Sequence, residues 1–348
     1  MMLNYDAPLY RPPSEANSLI FQVTLGCSFN ECSFCDMYRS KEYSERTWDE
    51  VKGEIDMMEK IMPNTKRVFL ADGDAINLST EYMTKILKYI REKFSSIERI
   101  SCYAMPMNLL KKTPEELQEL REAGLDMLYL GIESGSDIVL KKVTKGATSK
   151  TIIKSCNKAK DAGFKLSCMV ILGLGGKKYS KENAIETGKV ISASKPDFVG
   201  ALTLYLENGI KDEFMTKWEG EFVRIDDNES LEELELLVSN INTENKIIFR
   251  ANHGSNAYNI AGTFPQDKDE MLEKTLSGQM NSVYFPVPMS QLNADLNVHV
   301  DLHAIDIHGV KVSSTDQNHP GGSTAFKTSI DNDRTLVYAT DNELDLQF

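Results

Sequence analysis

Six short, nearly continuous apolar runs constrain this chain most: Leu19 to Leu25, Arg67 to Ala71, Ile100 to Ala104, Met127 to Ile132, Leu166 to Leu172 and Phe198 to Leu204. Each is rich in Val, Ile, Leu, Phe or Tyr and lacks the polar alternation of a strand with one wet face. Strands buried on both faces need helices packed against them, and stretches of helical periodicity separate the runs. The helix signals are explicit. Thr47 and Glu50 form a capping box ahead of an apolar face made by Val51, Ile55 and Met58. Thr113-Pro114-Glu115-Glu116 supplies a cap with proline at the first helical position, and Gly124 supplies the stop. A helix over 149–162 stops at Gly163, and another over 229–241 follows the turn Asp226-Asp227-Asn228. Repetition of strand, loop, helix and turn reads as βα units around a parallel sheet, to which Ile247-Ile248-Phe249 could add a seventh strand.

Beyond about residue 278 the texture changes: Gly, Ser, Asn and Asp rise, capped helices vanish, and Val298-His299-Val300-Asp301-Leu302-His303 alternates like a strand. Nine acidic residues against three basic ones make this tail acidic. The expected organisation is an extension over 1–18, a main domain over 19–278 and an acidic β-rich extension over 279–348. One face of a strand would present His299, Asp301 and His303 together, a metal-site pattern that ordinary strands also show by chance.

A chain of 348 residues is long enough for one large core with a small appended module. Its formal net charge of -13 would repel a phosphate backbone, so nucleic acid is a poor first guess for a partner. With neither a basic leader followed by an apolar run nor any stretch of 18 apolar residues, it reads as a soluble cytoplasmic protein without a membrane partner. Six cysteines in such a chain point to thiolate ligation rather than disulfides.

Three of those cysteines are clustered in Gly26-Cys27-Ser28-Phe29-Asn30-Glu31-Cys32-Ser33-Phe34-Cys35-Asp36-Met37-Tyr38, directly after the first strand, where the loops of a βα barrel build their working face. Three thiolates within nine residues can ligate three irons of a 4Fe-4S cube, leaving one iron open to a small molecule. A zinc site normally wants four protein ligands, and the nearest histidine in sequence is His253, although a distant ligand could fold in. An iron-sulfur or zinc-binding redox or metal sensor without turnover is therefore the alternative to an enzyme.

Several segments in order complete the picture: Arg11-Pro12-Pro13-Ser14-Glu15-Ala16, Val68 to Ala75, Gly131 to Asp137, Ile171 to Gly176 and Arg250 to Asn256. Together with the three-cysteine loop they resemble the radical S-adenosylmethionine (radical SAM) superfamily, over about residues 11–278, and within it a B12-independent, Fe-S oxidoreductase-like group. The loop departs from the usual pattern, having four residues rather than three between its first two cysteines. About 18 residues before the first strand are too few for a cobalamin-binding domain.

The resemblance implies an α/β fold, a partial (β/α)6 TIM-like barrel with the small β-rich extension at its C-terminus. It implies a 4Fe-4S cluster on Cys27, Cys32 and Cys35, with Phe34 just before the last cysteine, and S-adenosylmethionine as second cofactor. Asp72, Gly73 and Asp74 would grip the methionine amino group, where a tight turn is the plainer reading. Glu133 and Ser134 would contact the same molecule, even if they also cap the helix that follows. The strand ending in Gly173 would flank adenine, since Ile171 and Lys178 spoil any P-loop there, and Ser167 would reach the ribose. His253 would orient substrate or exchange protons, or else is a satisfied structural histidine. The activity implied is reductive cleavage of S-adenosylmethionine to a 5′-deoxyadenosyl radical that abstracts hydrogen from a small-molecule or peptide substrate, with flavodoxin or ferredoxin as electron donor.

Overall fold

A computed structural model describes residues 3, 5–206 and 209–276, and the backbone of strands at 305–307, 310–316, 324–330 and 334–339. All six apolar runs form strands: β1 (Leu19–Gln22), β2 (Arg67–Ala71), β3 (Arg99–Ala104), β4 (Met127–Glu133), β5 (Lys165–Leu172) and β6 (Phe198–Thr203). Each pairs in parallel with the next, as strands joined by helical crossovers do. The expected seventh strand, β7 (Ile247–Ala251), joins β6 in parallel, and β8 (Ile260–Phe264) returns antiparallel on β7. The sheet thus runs from β1 to β8 in chain order, and among the described residues its two edges do not pair with each other, so the barrel is not closed. No signal in the sequence marked β8, whose centre, Ala261-Gly262-Thr263, carries little apolar bulk.

Helices cover the outer face: α1 (Trp48–Ile61), α2 (Thr80–Lys93), α3 (Pro106–Lys111), α4 (Pro114–Glu122), α5 (Asp137–Lys142), α6 (Ser149–Asp161), α7 (Gly176–Ser194), α8 (Ile210–Trp218), α9 (Asp227–Asn240) and α10 (Lys268–Leu276). Their starts follow the caps. At α4 the Glu116 amide donates to Thr113 Oγ1 at 3.1 Å, and the Glu116 carboxylate accepts from the Thr113 amide at 2.6 Å. Helix α9 begins two residues before the expected 229 because Asp226 is itself the cap, exchanging hydrogen bonds with Glu229.

Alternate residues of every strand explain the continuous apolar runs. Phe21, Leu70, Cys102, Leu130 and Cys168 point outward into a core shared with Ile55, Leu87, Leu120, Ile152 and Cys156 of the helices, which accounts for the scattered cysteines. Ile20, Phe69, Met127 and Tyr129 point inward. There Phe69, Tyr103 and Tyr129 meet edge to face, with ring centroids 5.1 to 6.2 Å apart.

These elements belong to a compact unit of residues 1–10 and 18–283; a second unit comprises 11–17 and 284–348. In the second, Pro13–Glu15 forms one 3-10 turn, and β9 (Ile305–Ile307), β10 (Val310–Asp316), β11 (Thr324–Ile330) and β12 (Arg334–Ala339) make an antiparallel meander. His299, Asp301 and His303 lie outside the described residues. Among the described residues no helix is long and apolar enough to cross a membrane.

Helix α7 crosses the turn after β4 so closely that a Cβ on Gly135 would sit 2.2 Å from the Glu186 carbonyl oxygen. Gly135→Ala should therefore cost about 3 kcal/mol or more, because backbone cannot yield as a side-chain tip can. Thr113→Ala, which removes only a cap, should cost about 1 kcal/mol. Urea denaturation followed by circular dichroism checks both, and equal midpoints in the two variants would contradict the packing described.

Candidate cofactor site

The cysteine loop leaves the C-terminal end of β1 and is shaped largely by its own groups. The Cys35 amide donates to the Cys32 carbonyl at 3.1 Å, and Asn30, in the left-handed region at φ 44°, donates its side-chain amide to the Tyr38 carbonyl at 2.8 Å. The Arg39 guanidinium donates to the carbonyls of Asn30 and Cys32. From outside, the Ser33 amide reaches the Val143 carbonyl at 3.0 Å, just past α5. All three cysteines are half-buried free thiols. Burial pushes Cys32 up and Cys35 up to about 12, and each is raised further by a neighbouring cysteine and by Glu133, while Lys145 opposes both shifts. Thiols that oppose one another's ionisation in a shared, poorly solvated place suit a bound cation, which alone stabilises them together as thiolates. Among the described residues no three His, Cys, Asp or Glu side chains, the three cysteines included, are gathered closely enough to hold one metal ion.

The turn after β2 separates two carboxylates that the sequence treats alike. Asp72, fully buried, accepts from Lys41 Nζ at 2.8 Å, the Gly26 amide at 3.0 Å and Gln22 Nε2 at 3.3 Å. Its hydrogen bonds within the chain are therefore spent on holding the loop. Gly73 backs on Tyr38 and Cys27, and its amide donates to the Gly26 carbonyl at 3.1 Å. Asp74 differs: its Oδ2 accepts from Ser28 and Asn108, whereas its Oδ1 is buried with no partner. Burial pushes its carboxyl up to about 6 against those two hydrogen bonds. An orphaned buried oxygen next to the cysteine loop is what a cofactor's amino group would satisfy.

At the end of β4, Glu133 takes a left-handed φ of 63° and meets Lys145 Nζ at 2.9 Å. The pair fits because Gly131 has no side chain; a Cβ there would lie 1.8 Å from Glu133 Oε1. Burial alone would lower the Lys145 pKa, but Glu133 and the neighbouring Cys32 hold it up, to about 12. Phe34 lies beneath the ammonium, 5.9 Å away at the ring centroid. Lys145 is the site residue the sequence did not disclose, since a lone lysine before a glycine looks like any solvated turn.

Two expected contacts sit elsewhere. Ser134 is fully buried, donates to Asn183 Oδ1 at 2.5 Å and accepts from the Ser136 amide at 3.0 Å, so its hydroxyl is turned toward α7, behind the site. Ser167 pairs with Tyr129 and Phe198, five residues before the end of β5 at Leu172 and so about 16 Å below the strand's mouth. Gly173 does lie at the mouth, its amide donating to Glu233 Oε1 at 2.9 Å. His253 follows β7; its Nδ1 accepts from the Ser255 amide at 3.1 Å, and Ser255 Oγ accepts from the Thr203 amide at 3.1 Å. The ring is exposed at its edge yet desolvated enough by its neighbours to titrate below the ordinary value. None of its hydrogen bonds described here reaches the cysteine loop.

Helix α8 was not expected, although Ile210, Phe214 and Trp218 recur at helical spacing. It is tied to the cysteine loop by Arg39–Glu213 at 2.9 Å and Lys217–Glu31 at 3.0 Å. Phe214 and Trp218 share an apolar cluster with Phe34, Val143, Leu174 and Leu204.

Removing Lys41 leaves the buried Asp72 carboxylate uncompensated, so Lys41→Ala should cost about 3–5 kcal/mol. Lys66→Ala, which breaks an exposed pair with Glu98, should cost less than about 1 kcal/mol. Urea midpoints of the iron-free chain read the difference; similar midpoints would refute the role given to Asp72.

The family model of the radical SAM superfamily matches residues 21–187. The heme chaperone HemW of Bacillus subtilis is 25% identical over 169 residues, 47% of this chain and 45% of that protein. An uncharacterized protein of Methanocaldococcus jannaschii is 29% identical over 137 residues, 39% of this chain and 42% of that one. The chain thus spans less than half the length of these curated relatives. Coproporphyrinogen III oxidase (HemN) from Escherichia coli, a solved radical SAM enzyme, superposes with a TM-score of 0.50 at 17% identity, covering 64% of this chain and 51% of that one, a likeness of fold. The match to the radical SAM superfamily thus spans the chain from β1 through most of α7, residues 21–187.

Proposed function

We propose that this protein is a radical SAM enzyme that binds a 4Fe-4S cluster through Cys27, Cys32 and Cys35 and S-adenosylmethionine beside it. The observation that carries the reading is the setting of the three thiols: one half-buried loop, flanked by an unsatisfied carboxylate oxygen on Asp74 and by the buried Glu133–Lys145 pair. When bound, the two cofactors supply one-electron cleavage of a sulfur–carbon bond, giving methionine and a 5′-deoxyadenosyl radical that takes a hydrogen atom from substrate.

A few residues of the chain divide the tasks in that setting. Asp74 Oδ1 accepts from an amino group, and Lys145 offers counter-charge to a carboxylate. Glu133, relieved of Lys145, accepts from ribose hydroxyls, and the backbone at Gly173 flanks the base. Phe34 and the apolar cluster under α8 limit water around the thiolates. His253, at the rim formed by β6 and β7, belongs to the substrate side. The substrate is a small molecule or peptide, and flavodoxin or ferredoxin in the cytoplasm is the fitting electron source.

Anaerobic reconstitution with iron and sulfide, then reductant and S-adenosylmethionine, tests the reading: 5′-deoxyadenosine should appear. A cluster that forms without cleavage would replace it with a sensor, and a colourless protein that keeps zinc would replace it with a zinc site. Cys32→Ala should lose iron, sulfide and cleavage together while circular dichroism stays that of the parent. Lys145→Met should keep the iron and weaken S-adenosylmethionine binding by tenfold or more, roughly the value of one desolvated charge pair; unaltered affinity in equilibrium dialysis would remove Lys145 from the site.

A further inference from the structure

Glu233 lies on α9, outside every segment singled out in the sequence, yet it is only 2% exposed. Its carboxylate meets the turn after β5 and two side chains of α7. Oε1 accepts from the Gly173 amide at 2.9 Å and from Asn183 Nδ2 at 2.8 Å, and Oε2 accepts from the Ser180 hydroxyl. Asn183, on α7, also donates to the Ile171 carbonyl at 3.2 Å and accepts from Ser134 Oγ at 2.5 Å. A continuous hydrogen-bonded chain therefore runs from the end of β4, through Asn183, to Glu233, and on to the first residue after β5.

All three donors to Glu233 are neutral, and burial pushes its carboxyl pKa up against their hydrogen bonds. A carboxylate buried among neutral donors is costly compared with an apolar residue of the same size, so packing alone does not account for it. What it does secure is geometry: one side chain sets where two strand ends stand relative to each other.

We propose that Glu233 is a positioning residue for S-adenosylmethionine, fixing the end of β4 that carries Glu133 against the turn at Gly173. It touches neither the cofactor nor the cluster. The inference rests on the reading that these two strand ends flank S-adenosylmethionine, and the experiment separates the two.

Equilibrium dialysis of the iron-loaded protein against S-adenosylmethionine is the measurement, with iron content and the electron paramagnetic resonance of the reduced cluster as companions. Glu233→Ala should weaken binding about tenfold, the effect of losing hydrogen bonds to a buried charged group, with iron content unchanged. Glu233→Gln should restore affinity to within about threefold, because its amide oxygen still accepts from Gly173 and Asn183 while its amide nitrogen donates to Ser180. Asn183→Ala should match Glu233→Ala, and the double variant should bind no more than about twofold worse than either, as members of one network do. Wild-type affinity in Asn183→Ala overturns the inference even if Glu233→Ala fails to fold, and so does a double variant whose loss is the product of the single losses. If the unaltered protein binds no S-adenosylmethionine, the underlying reading of function falls, and this inference with it.

Discussion

One carboxylate anchors the working end of this protein. Asp72, at the tip of β2, takes a hydrogen bond from the Gly26 amide at the entry of the cysteine loop and an ion pair from Lys41 at its exit. A loop of this length, left to itself, would sample many shapes at an entropic cost that grows with every residue ordered. Pinning both ends to a strand that is buried in the sheet leaves only the interior of the loop to be arranged. Arg39 and Asn30 do that through backbone carbonyls. Because Lys41 and Asp72 are nearly solvent-free, the pair is severe in its demand: either partner alone would be an uncompensated buried charge.

Two sets of charges surround the thiols. Glu133 and Lys145 act on both Cys32 and Cys35 and form a pair whose net charge is zero. Arg39, Glu213, Lys217 and Glu31 join the loop to α8 in partly exposed pairs, each worth little by itself. The apolar cluster of Phe214 and Trp218 with Phe34 holds α8 in place; the exposed ions fix its register on the loop. Hydrophobic burial and ion pairing thus divide the labour, one supplying energy and the other orientation.

Much of this was readable from residue order alone. The six runs became six parallel strands because burial on both faces leaves a direct imprint on composition. Helix starts were readable because capping is local, involving residues three apart. What escaped was relational. Asp72 and Asp74 stand two residues apart with the same chemistry, and only the approach of Lys41 and Gly26 from a distant segment separates their roles. The resemblance named Ser134 together with Glu133, but residue order does not disclose that its hydroxyl donates to Asn183. Ser167 lies on the expected strand, five residues before its end, a height that periodicity does not report. Lys145 and Glu233 carry no motif at all, and their importance exists only once the chain has folded.

The three rings on the concave side of the sheet, Phe69, Tyr103 and Tyr129, have a spatial consequence. They form a floor. Glu133 stands four residues above Tyr129 on the same strand, about 13 Å by extended-chain spacing. Below the strand ends the inner face of the sheet is therefore filled by aromatic packing, which bounds the region of the thiols from beneath independently of the loop that carries the sulfurs.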